Sequence, residues 1–155
     1  MSLAQTQICW SDDQFAIYLS PSVQSHHVFD AMLEKLERAD EMIISSFATN
    51  EQYIRRIIRN RPRIGHITLI LDFTVASRNP GNTDFASMNV DELLLTSNHS
   101  KLIYMRRDSA EMIALMSNNA TNNQRYEAGI IVCNHQIITL YKQRINQLKQ
   151  LCIRW

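Results

Sequence analysis

The sequence predicts an α/β domain with a mixed β-sheet flanked by helices on both faces. Three observations lead there. Over the first half, short apolar β-branched runs alternate with segments of helical periodicity, the order that suggests parallel pairing. In the second half, three apolar runs follow one another closely, the order of hairpins. The chain then closes on one long amphipathic segment.

Residues 15–19 (FAIYL) read as the first strand, stopped by Pro21. Residues 23–39 read as a helix, because Val28, Phe29, Met32, Leu33 and Leu36 keep helical spacing. MIISSF (42–47) is a short apolar strand. A second helix is expected from Thr49, whose hydroxyl forms a capping-box pattern with Gln52. Tyr53, Ile54, Ile57 and Ile58 supply its buried stripe, and Pro62 ends it. HITLILDF (66–73) is nearly all apolar and β-branched, as central strands are. Residues 74–84, with a Pro-Gly pair inside, read as a loop, and 85–96 as a short helix. SKLIYMR (100–106), EMIALM (111–116) and YEAGIIV (126–132) read as strands, the last two separated by the polar loop SNNATNNQR. Residues 135–152 read as a helix with Ile137, Tyr141, Ile145, Leu148 and Cys152 on one side. The 155 residues suit one domain, 1–155, and contain no linker, repeat or low-complexity stretch.

Composition narrows the classes. With 45% hydrophobic and 20% charged residues the chain is an ordinary globular sequence, and no apolar run reaches the length of a membrane span. The N-terminal MSLAQTQICWSDD lacks a basic start and an apolar stretch, so no signal peptide is expected. Cys9, Cys133 and Cys152 are too scattered for a disulfide framework or a zinc site, and reduced thiols in a cytoplasm fit best. His66 and His135 have no acidic or cysteine partner at metal spacing, and His26 and His27 read as surface or packing residues. A net charge of +1 exerts no global pull on a polyanion. The charge is uneven, however: Arg55, Arg56, Arg59, Arg61 and Arg63 crowd into one stretch. Such a stripe either guides a phosphate backbone or is a solvated helix face.

The chemistry concentrates between residues 99 and 129. His99 and Lys101 stand two apart in a β-like run, which puts imidazole and ammonium on one face. Ser117 and Asn119 repeat that spacing one segment later, and Glu127-Ala128-Gly129 opens the next. An imidazole, a cation and neutral donors on one face suit a phosphodiester-cleaving site that uses no metal.

Together these motifs resemble the phospholipase D superfamily, whose pattern runs H-x-K-x-x-x-x-D and then G-S-x-N. FAIYLSP, the helix ending LERAD, then EMIISSFATNEQYIRRII and ITLILDF are similar to that family's order of elements. The resemblance is specific around 99–129 and pattern-level before it. It implies a phospholipase D-like fold and a role for each residue. His99 would be the nucleophile on phosphorus, forming a phosphohistidine. Lys101 and Asn119 would hold the non-bridging oxygens, and Ser117 would add a hydroxyl donor. Glu127 would accept a hydrogen bond from the other nitrogen of His99. No metal and no cofactor are implied. Two positions depart from the pattern: Arg106 stands where the family has aspartate, with Asp108 two residues on, and Met116 stands where it has glycine.

Phosphoryl transfer through histidine needs two imidazoles, one to attack and one to protonate the leaving oxygen. With one H-x-K in the chain, the expected solution is a two-fold homodimer in which two copies of His99 meet, burying part of a sheet edge or the loops around 74–84 and 118–125. A short, single-motif member most resembles the nuclease branch, with Arg55, Arg56 and Arg59 guiding nucleic acid. Phospholipid is disfavoured, because no interfacial helix is evident. The competing reading is a non-catalytic module of the same fold that binds nucleic acid or another phosphate compound.

Overall fold

The computed structural model describes residues 7–121 and 125–155. A short edge strand, β1 (Cys9–Ser11), turns through Asp12 and Asp13, both at positive φ, into β2 (Phe15–Ser20). Helix α1 (Ser25–Leu36) follows, and β3 (Ala39–Ser46) starts three residues before the expected 42. The helix stops short of residue 39 because Glu37 adopts φ 64°, a left-handed end that breaks the helical ladder. Helix α2 (Glu51–Asn60) is capped by Asn50, whose side chain accepts from the Tyr53 amide at 2.9 Å. Thr49, the expected cap, instead makes a backbone bridge to Ala120.

A short 3₁₀ turn at Arg61–Arg63 leads into β4 (Ile64–Asp72), the expected central strand. The stretch read as a loop is helical. Helix α3 (Phe73–Arg78) is capped by Asp72 and α4 (Pro80–Ser87) by Asn79, with Pro80 in the first turn, where a missing N–H costs nothing. The helix expected over 85–96 ends at Ser87, and Glu92–Thr96 is instead a strand, β5, parallel to β4. Then come β6 (Leu102–Arg107), β7 (Ala110–Met116), β8 (Glu127–Val132), α5 (His135–Gln150) and a two-residue edge strand, β9 (Ile153–Arg154). Part of the polar loop before β8, residues 122–124, lies outside the described residues.

The strands form one mixed sheet in the order β1-β2-β8-β7-β6-β3-β4-β5-β9. Among the described strands, only β3-β4 and β4-β5 are parallel pairs. The first full strand, β2, does not join them but pairs antiparallel with β8. Helices α1 and α2 cover one face, where Phe29, Met32, Leu33, Ile54 and Ile57 pack on Met42, Ile44, Leu69, Ile103, Met112 and Ile131. Helix α5 covers part of the other, placing Ile138 and Ile145 against Ile43, Ile70, Leu94, Tyr104 and Ile113. Each such side chain contributes about 1.5–3 kcal/mol by leaving water. Beyond α5, no helix among the described residues covers that second face. Ile17 is 51% and Leu19 73% exposed on β2, with Phe15 and Ile130 beside them.

Topology gathers one end of the sheet. The C-terminal ends of β2, β3, β4, β5 and β7 and the starts of β6 and β8 all lie there. No helix among the described residues is long and apolar enough to cross a membrane.

Candidate active site

Lys101 was expected inside a strand over 100–106, with His99 directly before it. They sit just before β6 instead, in the segment that delivers the chain to its first residue. The ladder still reaches them, since Met116 N–H donates to the Lys101 carbonyl at 3.1 Å. What holds this segment is Asn98, which is buried. Its amide nitrogen donates to Ser45 Oγ at 2.9 Å and to the Ser46 and Ile70 carbonyls at 3.2 and 3.3 Å. Its Oδ1 accepts from the Ser100 amide at 3.0 Å and from the Ser100 hydroxyl at 2.7 Å. Its own N–H donates to Asp72 Oδ2 at 2.9 Å. Asp72 also caps α3, so one carboxylate orders two chain segments, and its hydrogen bonds hold it below the usual carboxylate range against the opposing effect of burial. The polar cluster is buried and satisfied, the condition under which such networks rigidify a segment.

From this anchor His99 projects outward and is exposed, with its ring centroid 5.3 Å from that of Phe47. The Lys101 ammonium folds back on it, 2.9 Å from His99 Nδ1, and donates to the His99 carbonyl at 2.7 Å. Burial lowers the Lys101 pKa, and the nearby Glu127 charge opposes that shift.

The next two strands bring the remaining groups. The Ser117 hydroxyl donates to Glu127 Oε2 and accepts from the Ala128 amide at 3.0 Å. Thus Glu127, expected on His99, is engaged by Ser117. Asn118 is buried and receives a hydrogen bond from the Tyr18 hydroxyl, while its amide donates to the Val23 carbonyl at 3.0 Å. Gly129 makes this possible. The Tyr18 ring lies against it across the β2-β8 pair, so close that a Cβ would fall 2.5 Å from Tyr18 Cε1. Asn119 is half-buried and its Oδ1 has no partner among the described residues. The Ala120 amide then donates to Ser46 Oγ at 2.9 Å, tying this loop to the end of β3.

The two departures from the motif lie differently from each other. Arg106 is at the far end of β6, paired with Glu41 at 3.5 Å and Asp40 at 3.7 Å, and Asp108 forms the adjoining turn at φ 52°. Neither reaches His99, because β6 separates them by its length. Met116 is half-buried and packs against the core beneath α1 and α2.

The arginine stripe is largely committed. Arg55 forks onto Glu51 at 2.7 and 2.5 Å, and Arg56 is bonded to Asp30, with Nε to Oδ1 at 2.9 Å. Arg61 pairs with Asp91 at 2.6 Å, and Arg63 donates to the Leu33 and Glu37 carbonyls. Arg59 is exposed and, with Arg55, Arg56 and His26, lines a cleft of about 440 Å³ in the helix layer. Among the described residues no His, Cys, Asp and Glu side chains group as a metal site.

No family model and no curated protein sequence matches the chain. Solved structures do. NucT from Helicobacter pylori superposes with a TM-score of 0.74 at 15% identity, over 92% of this chain and 99% of that one. Nuc from Salmonella typhimurium, a phospholipase D family member, gives 0.67 at 14% identity, over 91% and 97%. The chain has the phospholipase D fold. The same fold extends to TrmBL2, an archaeal chromatin protein with a novel mode of DNA binding, at a TM-score of 0.61 and 12% identity, over 93% of this chain and 55% of that one. Within this phospholipase D fold the H-x-K and S-x-N segments meet at a single sheet end. The residue that sequence reasoning missed is Asn98. Its one signal is a polar side chain immediately before the histidine.

Proposed function

We propose that the protein is a metal-independent phosphodiesterase, a nuclease, that works through a phosphohistidine at the two-fold axis of a homodimer. The observation that carries this reading is the convergence of His99, Lys101, Ser117 and Glu127 at one end of a phospholipase D sheet.

In the proposed cycle a His99 nitrogen attacks phosphorus, and a P–N bond forms as the P–O bond to the leaving group breaks. His99 of the partner subunit gives its proton to the leaving oxygen. That imidazole then takes a proton from water, whose oxygen attacks phosphorus and releases the first His99. Lys101, the Asn119 amide and the Ser117 hydroxyl supply positive charge and donors to the phosphoryl oxygens, the work a metal does elsewhere. For this, Lys101 moves from His99 to the phosphate. Glu127 braces Ser117.

The dimer is supported by the bare apolar strip of Phe15, Ile17, Leu19 and Ile130, which borders the strand opened by Glu127. An uncharged face of this kind, facing water on a single chain, is what an isologous contact covers. It replaces the loop around 74–84 as the proposed contact, since that stretch is helical and lies beside β4 and β5.

One observation favours the non-catalytic module: Glu127 is bonded to Ser117 and leaves His99 to Lys101. The deciding experiment is cleavage of DNA, RNA and a chromogenic phosphodiester in EDTA, with His99→Ala as the control. Turnover that survives EDTA and drops at least about 10²-fold in the variant supports the enzyme. Binding without turnover supports the module.

A further inference from the structure

We infer that the nucleic acid taken by this site is single-stranded and is gripped by its bases, with Phe73 and Tyr126 as stacking platforms on either side of the phosphate-binding groups. The inference rests on the proposed reading of this sheet end as a phosphodiester site. It adds how the strand is held and in what form.

The first argument is electrostatic. A protein that grips a duplex by its backbone does so with free Lys and Arg, and each phosphate contact releases counterions. Here four of the five arginines that would form such a track are spent on carboxylates and carbonyls, Arg55 on Glu51, Arg56 on Asp30, Arg61 on Asp91, and Arg63 on Leu33 and Glu37, which leaves Arg59 facing solvent in the helix layer. Two cations remain at this sheet end, Lys101, whose contact with His99 yields to a phosphate oxygen, and the exposed Arg125 beside Tyr126. A net charge of +1 adds no general attraction. Affinity must come largely from something other than charge.

The second argument is what does face the solvent there. Tyr126, immediately before Glu127, is 74% exposed, and Phe73, immediately after β4, is 47% exposed. Between them across the sheet stand Ser117 at the end of β7, His99 and Lys101 before β6, and Phe47 after β3, its ring near that of His99. From β8 to β4 is four strand steps, about 19 Å at the usual spacing. The row therefore has an aromatic at each end and the phosphate chemistry in the middle. Every base offers a π-face, so such platforms hold a strand without reading its sequence. A duplex cannot use them, because its bases already stack on one another. The single-stranded form is the one whose chemistry matches the surface.

The test is fluorescence anisotropy with the full-length protein and short dye-labelled strands carrying cleavage-resistant phosphorothioate links. A base-bearing single strand, its abasic counterpart and a duplex are compared, with deoxyribose and ribose versions to separate DNA from RNA. The base-bearing strand should bind at least about tenfold more tightly than either of the others, as expected for one or two stacked bases. Its log–log salt slope should stay near about −1.4, two phosphate contacts' worth on a single strand. Tyr126→Ala and Phe73→Ala should each lose about fivefold or more on the base-bearing strand alone. Tyr126→Phe and Phe73→Tyr, which keep the rings, should retain the affinity. Equal binding of base-bearing and abasic strands, or alanine variants without effect, overturns the inference; the latter result would leave the rings covered by a second subunit. The two readings fail separately. His99-dependent cleavage without base-dependent binding removes only the stacking, and base-dependent binding without cleavage removes only the catalysis.

Discussion

The Lys101 ammonium lies 2.9 Å from Nδ1 of His99. An ammonium has only donors, so the nearer contact is best made with Nδ1 unprotonated and the ring proton on Nε2, which lies 3.4 Å from the same ammonium. The substrate-free site thus rests with its cation on its own imidazole. Under the proposed function a phosphoryl oxygen would compete for the same ammonium. Long-range ¹H–¹⁵N spectra of the histidines should show His99 in the Nε2–H form, and inorganic phosphate should shift it. In Lys101→Ala the phosphate effect should vanish and turnover should fall at least about 10²-fold. An unchanged response in that variant would dissociate Lys101 from the phosphate.

Asn98 is expected to position His99. Its side chain touches Ser45, Ser46, Ile70 and Ser100 but no reacting atom. Asn98→Ala should lower kcat with little change in KM, since the imidazole is misplaced while the binding groups stay. It should also cost about 1–3 kcal/mol of stability, because buried partners are left unpaired. A KM effect alone would assign Asn98 to binding.

His27 makes the start of α1 acid-sensitive. Its Nδ1 accepts the Gln24 N–H at 3.0 Å, which only the neutral ring can do. Burial, then the neighbouring His26 and Arg56, lower its pKa to about 4, with Asp30 opposing. Unfolded, the ring titrates near about 6.5. Between these values the unfolded chain binds a proton that the native one refuses, so stability falls as pH drops through this window and is whole above it. In His27→Gln, melting temperature should depend less on pH between about 4 and 6.5. Identical slopes for the two proteins would remove His27 as the cause.

The bare strip on β2 and β8 should control assembly. Leu19→Asp puts a charge in the middle of it, at a position that is exposed within one chain. Sedimentation should convert from about twice the 18.0 kDa chain mass to a folded monomer. That monomer should lose turnover, since each His99 loses its counterpart. A variant that stays dimeric would place the interface elsewhere, and a wild-type monomer would end the two-histidine mechanism.

The amino-acid order alone was enough for the strands at 15–19, 66–73 and 111–116, and for α1, α2 and α5. Each of these rests on a local signal: a period or a breaker. Residues 92–96 had no such signal. Three consecutive leucines carry no period, and it was the neighbouring β4 that made them a strand. Tertiary structure also decided which charges are free. Nothing near Arg56 in sequence announces Asp30, and nothing near Asn98 announces Ser45, Ile70 or Asp72. The identity of the candidate site residues is a property of the sequence. Their partners are set by long-range packing, because hydrogen bonds and ion pairs depend on distance in space and are blind to distance along the chain.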